Sequence, residues 1–113
     1  MRSVTKIVLV DENGEKFFGE GPYRLLLAVE ETGSLRTAAR SMDMAYSKAM
    51  KILKRGEAAL GFSLTVRTAG GVSGGGSRLT PQGKEWITRY AAYRNACVEA
   101  NASLYRQFFP END

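Results

Sequence analysis

No histidine occurs anywhere in the 113 residues, and there is one cysteine, Cys97. The first absence removes the commonest general base and the commonest metal ligand together. The second excludes a disulfide within the chain and fits a reducing cytoplasm. Near the N-terminus the apolar run Ile7 to Val10 is ended by Asp11, too short for a signal core or a membrane span. With no nucleophile–base pair and no ligand cluster either, the sequence predicts neither an enzyme nor a bound metal or cofactor. It predicts a cytoplasmic protein with no membrane partner.

Acidic residues are also scarce in one region. Residues 34–80 hold Arg36, Arg40, Lys48, Lys51, Lys54, Arg55, Arg67 and Arg78 against only Asp43 and Glu57, a net charge of +6. Residues 1–33 carry a net −2 and residues 81–113 balance. The basic surplus is local, as a polyanion-binding surface requires. A solvated basic face with no partner would look the same by charge alone. The remaining composition, 43% hydrophobic and 25% charged, is that of an ordinary globular domain, and the length fits one domain over 1–113.

Local signals set the expected elements. Residues 4–10 are β-branched and apolar and read as a strand. Asn13-Gly14 marks a hairpin turn and Lys16 to Phe18 the return strand, giving an N-terminal hairpin over 1–19. A helix is expected over Tyr23 to Glu31, with Pro22 in its first turn and Thr32-Gly33 ending it. Ser34 caps a second, short helix, Leu35 to Met42. A third runs from Ala45 to Leu60, stopped by Gly61. Residues 62–67 read as a strand, 68–77 as a glycine-rich loop, and Arg78-Leu79 as a short extended return. Thr80 and Pro81 then open a long helix to Phe108. The expected class is mainly α with a small β component: a winged helix-turn-helix over 22–80, with a long final helix over 81–109.

Three features carry function in that frame. On the third helix, Ala45, Ala49, Ile52, Leu53, Gly56 and Leu60 share one face at about 100° per residue. Ser47, Lys51 and Lys54 lie opposite, with Lys48 and Arg55 on a flank. This polar and basic outer face suits base edges or phosphates in a major groove. Tyr46 either joins that contact or packs on the first helix. Ser34 and Thr37, opening the second helix beside Arg36, serve as a cap, a phosphate site, or both. The glycine loop lacks the Gly-Lys-Ser/Thr step into a helix that a nucleotide-binding loop needs. It reads better as a wing tip that includes Ser73, with Arg67 and Arg78 at its base. On the last helix Trp86, Tyr90, Tyr93, Cys97, Ala100 and Leu104 recur at alternating spacings of four and three, a heptad-like seam. About 28 residues span roughly 40 Å, more than the small core can cover. This seam is therefore the expected interface of a homodimer, with Cys97 a small buried hydrophobe.

A family resemblance follows from particular stretches. Glu31-Thr32-Gly33-Ser34-Leu35-Arg36-Thr37-Ala38-Ala39 resembles the "TGSISxAA" opening of the helix-turn-helix in ModE-type molybdate-responsive repressors. Met44 to Met50 is similar to the start of their recognition helix, with Ala45 in place of serine, Met50 in place of tryptophan, and the lysine displaced by one position. Thr68 to Thr80 resembles their glycine-rich wing, and Thr80-Pro81-Gln82-Gly83 the segment after the wing in LysR-type regulators. The resemblance covers residues 22–108. It implies double-stranded DNA as partner, contacts from the second and third helices and the wing, dimer pairing through the last helix, and association with the nucleoid. Molybdate is not expected to bind this chain. The alternative is a winged helix serving protein–protein contact without DNA.

Overall fold

The computed structural model describes residues 1–68 and 76–110. Its elements are β1 (Leu9–Val10), β2 (Lys16–Phe18), α1 (Glu20–Thr32), α2 (Leu35–Ser41), α3 (Tyr46–Leu60), β3 (Thr65–Thr68), β4 (Gly76–Leu79) and α4 (Pro81–Phe108). Two antiparallel hairpins, β1–β2 and β3–β4, flank the three-helix unit in sequence. This is the winged helix-turn-helix order, with a small β component and a long final helix.

Turn chemistry explains most boundaries. In the first hairpin the Asp11 carboxylate accepts the N–H groups of Asn13 and Glu15 at 2.8 and 3.0 Å. Gly14 takes a left-handed φ of 80° that a side chain would resist. Gly33 ends α1 in the left-handed conformation, its N–H donating to the Val29 carbonyl. Ser34 follows at once as N-cap of α2, its Oγ accepting the Thr37 N–H at 3.1 Å. Asp43, at φ 52°, makes the tight turn into α3. Thr80 Oγ accepts the Gly83 N–H at 2.9 Å and donates to the Ser63 carbonyl at 2.6 Å, so one residue caps α4 and ties it to the wing.

The core lies where α1, α2 and α3 meet β2, the wing and the first turns of α4. Leu25, Leu26 and Val29 of α1, Leu35, Ala38 and Ala39 of α2, and Ala49 and Leu53 of α3 are all buried there, with Leu64, Leu79, Ile87 and Tyr90. Small residues on α2 and α3 let their backbones approach closely. Phe18 closes the cluster edge-on to Trp86 and Tyr90, at centroid distances of 5.4 and 5.0 Å.

Several expectations need correction. The strand expected over 4–10 pairs only at Leu9 and Val10, because β2 is three residues long before α1 begins at Glu20. Residues 1–8 instead run extended along α4. Tyr90 Oη donates to the Ile7 carbonyl, Asn101 Nδ2 to Ser3 Oγ, and Tyr105 Oη to the Met1 carbonyl. The strand expected over 62–67 is displaced to Thr65–Thr68. One reason is that the Leu64 N–H is taken by the Glu57 carboxylate at 2.8 Å. Tyr90, expected on a seam between chains, is 2% exposed inside its own core. Trp86 is likewise half-buried against Phe17 and Phe18. The N-terminal hairpin covers these first turns of α4, a long-range packing that helical spacing cannot reveal.

Beyond Tyr90 the helix leaves the core. The radius of gyration is 17.1 Å and the long dimension 61 Å, against about 13 Å for a compact chain of this length. The projecting half of α4 accounts for the difference. Tyr93 is 53% exposed, and Val98, Leu104 and Phe108 are exposed as well. Among the described residues no helix is long and apolar enough to cross a membrane.

Candidate nucleic-acid interface

The α1–α2 turn and the wing hairpin sit side by side because two backbones touch. The Ser77 N–H donates to the Gly33 carbonyl at 2.8 Å, and a Cβ on Gly76 would collide with that same carbonyl oxygen. A glycine is therefore required where β4 meets the α1–α2 turn. The contact fixes Arg78 and, across the ladder from it, Val66; Arg67 follows opposite Ser77. Both arginines are exposed.

On α2, Arg36 and Thr37 are exposed and Ser34 is half-buried. The Arg36 guanidinium lies over the Tyr46 ring, 4.2 Å from its centroid. Tyr46 is thus half-buried under an α2 side chain, and the stack ties the two helices at the point where α3 begins. Arg40, one turn beyond Arg36, shares an open depression of about 430 Å³ with Arg36, Asp43, Met44 and Tyr46. Sequence reasoning counted Arg40 in the basic surplus but did not assign it to the site. Its i+4 spacing from Arg36 was the available signal.

On α3, Ser47, Lys48, Lys51, Lys54 and Arg55 are all exposed. Lys54 makes a loose pair with Glu57, 3.8 Å apart. Ala45 supplies no side-chain cap, so the first turn of α3 presents backbone N–H groups alongside Ser47 and Lys48. Lys48, Lys51 and Arg55 border a cleft that also receives Lys16 of β2. Lys16 was not anticipated, since only the packing of β2 against α3 brings it there. Ser73 falls outside the described residues. Of the residues expected at the interface, Arg36, Thr37, Ser47, Lys48, Lys51, Lys54, Arg55, Arg67 and Arg78 are exposed and Ser34 and Tyr46 half-buried, and Arg40 and Lys16 line the depressions beside them. Among the described residues no cluster of acidic, cysteine or histidine side chains could hold a metal ion.

Residues 22–84 match the model of the bacterial regulatory helix-turn-helix protein, lysR family. The chain belongs to that family. Its class is accordingly that of the DNA-binding transcription regulators, and the matched span runs from the start of α1 through the wing to the first turn of α4. The ModE-type resemblance is also met. The lysR-family chain is 36% identical over 83 residues to the molybdenum transport protein ModE of Azotobacter vinelandii, covering 74% of this chain and 30% of that protein. It is 32% identical over 85 residues to the molybdenum-pterin-binding protein MopB of Rhodobacter capsulatus, covering 75% and 31%. The chain thus spans about a third of the length of these curated relatives. Its fold is similar to that of the BenM DBD in a crystal structure with catB site 1 DNA. The TM-score is 0.52 at 22% identity, covering 82% of this chain and 97% of that one.

Proposed function

We propose that this lysR-family chain binds double-stranded DNA sequence-specifically as a homodimer and acts in transcriptional control. One observation carries the reading: α2, α3 and the wing present Arg36, Lys48, Lys51, Arg55, Arg67 and Arg78 on exposed positions around the helix-turn-helix. Phosphate contacts from these cations supply affinity, and α3 supplies base readout. Ser47 and Lys51 are the candidates for base edges. Arg36, stacked on Tyr46, is held to meet a phosphate rather than free to search for one. Ser34, Thr37 and Lys54 complete the contact around the helix ends and outer face, and Ser73, between the two wing strands in sequence, is a further candidate. The sparsely capped start of α3 favours an anion in the same place.

Pairing runs through the projecting half of α4. Tyr93 and Leu104, with Val98 and Phe108, are apolar side chains that their own chain leaves exposed, and Cys97 between them is half-buried. A two-fold pair would set two α3 helices on half-sites separated by about one duplex turn, roughly 34–36 Å. The hairpin 1–19, the helix-turn-helix and wing 22–80, and the helix 81–109 then work as one domain, in the cytoplasm and at the nucleoid.

Selection of bound sites from random duplexes tests this. A two-fold symmetric motif is expected. Recovery of no motif from a protein that still dimerises would leave the same fold as a protein-contact module instead.

A further inference from the structure

Between the N-terminal hairpin and α3 lies an open cleft of about 390 Å³, within the range of small-molecule sites. Its floor is apolar: Phe17 and Phe18 of β2, Pro22 of α1 and Ile52 of α3. Its rim is cationic, with Lys16 on one side and Lys48, Lys51 and Arg55 on the other, and no carboxylate lines it. Lys48, Ile52 and Arg55 stand four and three residues apart on α3, so an apolar side chain is framed by cations along one stripe. The wall is braced from behind. The Phe17 ring packs against Trp86 at a centroid distance of 6.3 Å, and Trp86 against Phe18 at 5.4 Å. A pre-shaped wall saves the ordering that a mobile one would require on binding.

A duplex backbone engages the rim but offers nothing apolar for the floor. A second copy of this face would bring cations against cations. Both halves of the site are satisfied together by a small anion with an apolar body. We infer that the cleft binds a small amphipathic anion, an aromatic or branched apolar group carrying a single carboxylate or sulfonate. Its head group pairs with Lys16 and Arg55 across the mouth, and its body lies on Phe17 and Ile52. Because Lys48, Lys51 and Arg55 also belong to the proposed duplex contact, occupation of the cleft competes with DNA. This last clause rests on the DNA-binding reading; the ligand site itself does not.

The test uses the full chain and 8-anilinonaphthalene-1-sulfonate as probe. One saturable site per chain is expected, with Trp86 emission falling in step as probe emission rises, since the sole tryptophan backs the cleft wall. Naphthalene-2-carboxylate should displace the probe and uncharged naphthalene-2-methanol should not. Lys16→Glu and Arg55→Glu should each weaken the probe about tenfold, as loss of a charge-assisted contact implies. Both residues are exposed, so neither change threatens the core. Lys84→Glu, at an exposed position on the first turn of α4 that does not line the cleft, should leave binding unchanged. Affinity indifferent to both charge reversals, or equal displacement by the alcohol, would place the probe on the exposed apolar stripe of α4 and overturn the site. Duplex should displace the probe from the wild-type chain. Duplex that binds without displacing it refutes the competition while leaving DNA binding intact. Probe binding that survives where no duplex is retained refutes the DNA reading and leaves the cleft site standing.

Discussion

Removing the Glu57 carboxylate isolates the joint between the recognition helix and the wing. Its Oε2 accepts the Leu64 N–H at 2.8 Å, the side chain is 16% exposed, and Leu64 itself is buried. Glu57→Ala deletes a charged acceptor and leaves that N–H without its protein partner, a loss of about 1.5–3 kcal/mol. The pair with Lys54 adds little, since Lys54 is well exposed and 3.8 Å away. Two effects oppose the loss. A negative charge leaves the last turn of α3, worth about 0.3–1 kcal/mol, and alanine is the better helix former by a few tenths. The net expectation is a destabilisation of about 1.5 kcal/mol, or a Tm lower by roughly 6 °C at this chain length. Glu57→Gln keeps an acceptor oxygen and should lose less than half as much. Urea unfolding followed by circular dichroism, at one fixed protein concentration because any dimer couples stability to concentration, measures both. Glu57→Ala within about 0.5 kcal/mol of wild type, or Glu57→Gln as damaging as alanine, would refute the reasoning.

Other perturbations probe the frame around the site. Gly83→Ala places a Cβ against the Leu64 carbonyl oxygen; the expected strain of about 1–3 kcal/mol outweighs a propensity gain near 1 kcal/mol, so a raised Tm would contradict the close approach of α4 to the wing. Tyr90 has its pKa raised from 10.0 first by burial and then by the Glu20 carboxylate. The unfolded chain therefore loses this proton first, and stability held below pH 10 declines as the pH rises above it; the decline should be shallower in Tyr90→Phe by pH-resolved urea titration. Arg94 bonds both Glu20 carboxylate oxygens, at 3.0 and 3.1 Å, and lies over Tyr23. Arg94→Ala should lower the melting temperature slightly, and a neutral result in thermal melts would show that the pair only decorates the surface.

What could be read from sequence was mostly local. Ser34 and Thr80 announced their helices by capping chemistry, and both caps are present. The sidedness of α3 followed from 3.6-residue periodicity: Ala49, Leu53 and Gly56 are buried, while Ser47, Lys51 and Lys54 are exposed. What escaped depends on contacts between distant segments. Residues 4–10 do run extended, with Thr5, Ile7 and Leu9 half-buried between exposed neighbours, but most of the segment lies on a helix rather than in a sheet. Tyr90 looked like a seam residue until the hairpin covered it. Glu57 reads as one more surface acid, and only the fold brings the Leu64 N–H to it. Lys16 sits 32 residues before Lys48 in the chain, and no local pattern joins them.

The most direct measurement is a fluorescence-anisotropy titration of a selected duplex at several salt concentrations. Binding should weaken steeply as salt rises, as counterions released by the cationic face return to the duplex. Lys51→Ala should weaken it by about 1–2 kcal/mol, while Lys84→Ala should match the wild type. Equal losses in the two variants, or an affinity that does not change with salt, would contradict the account.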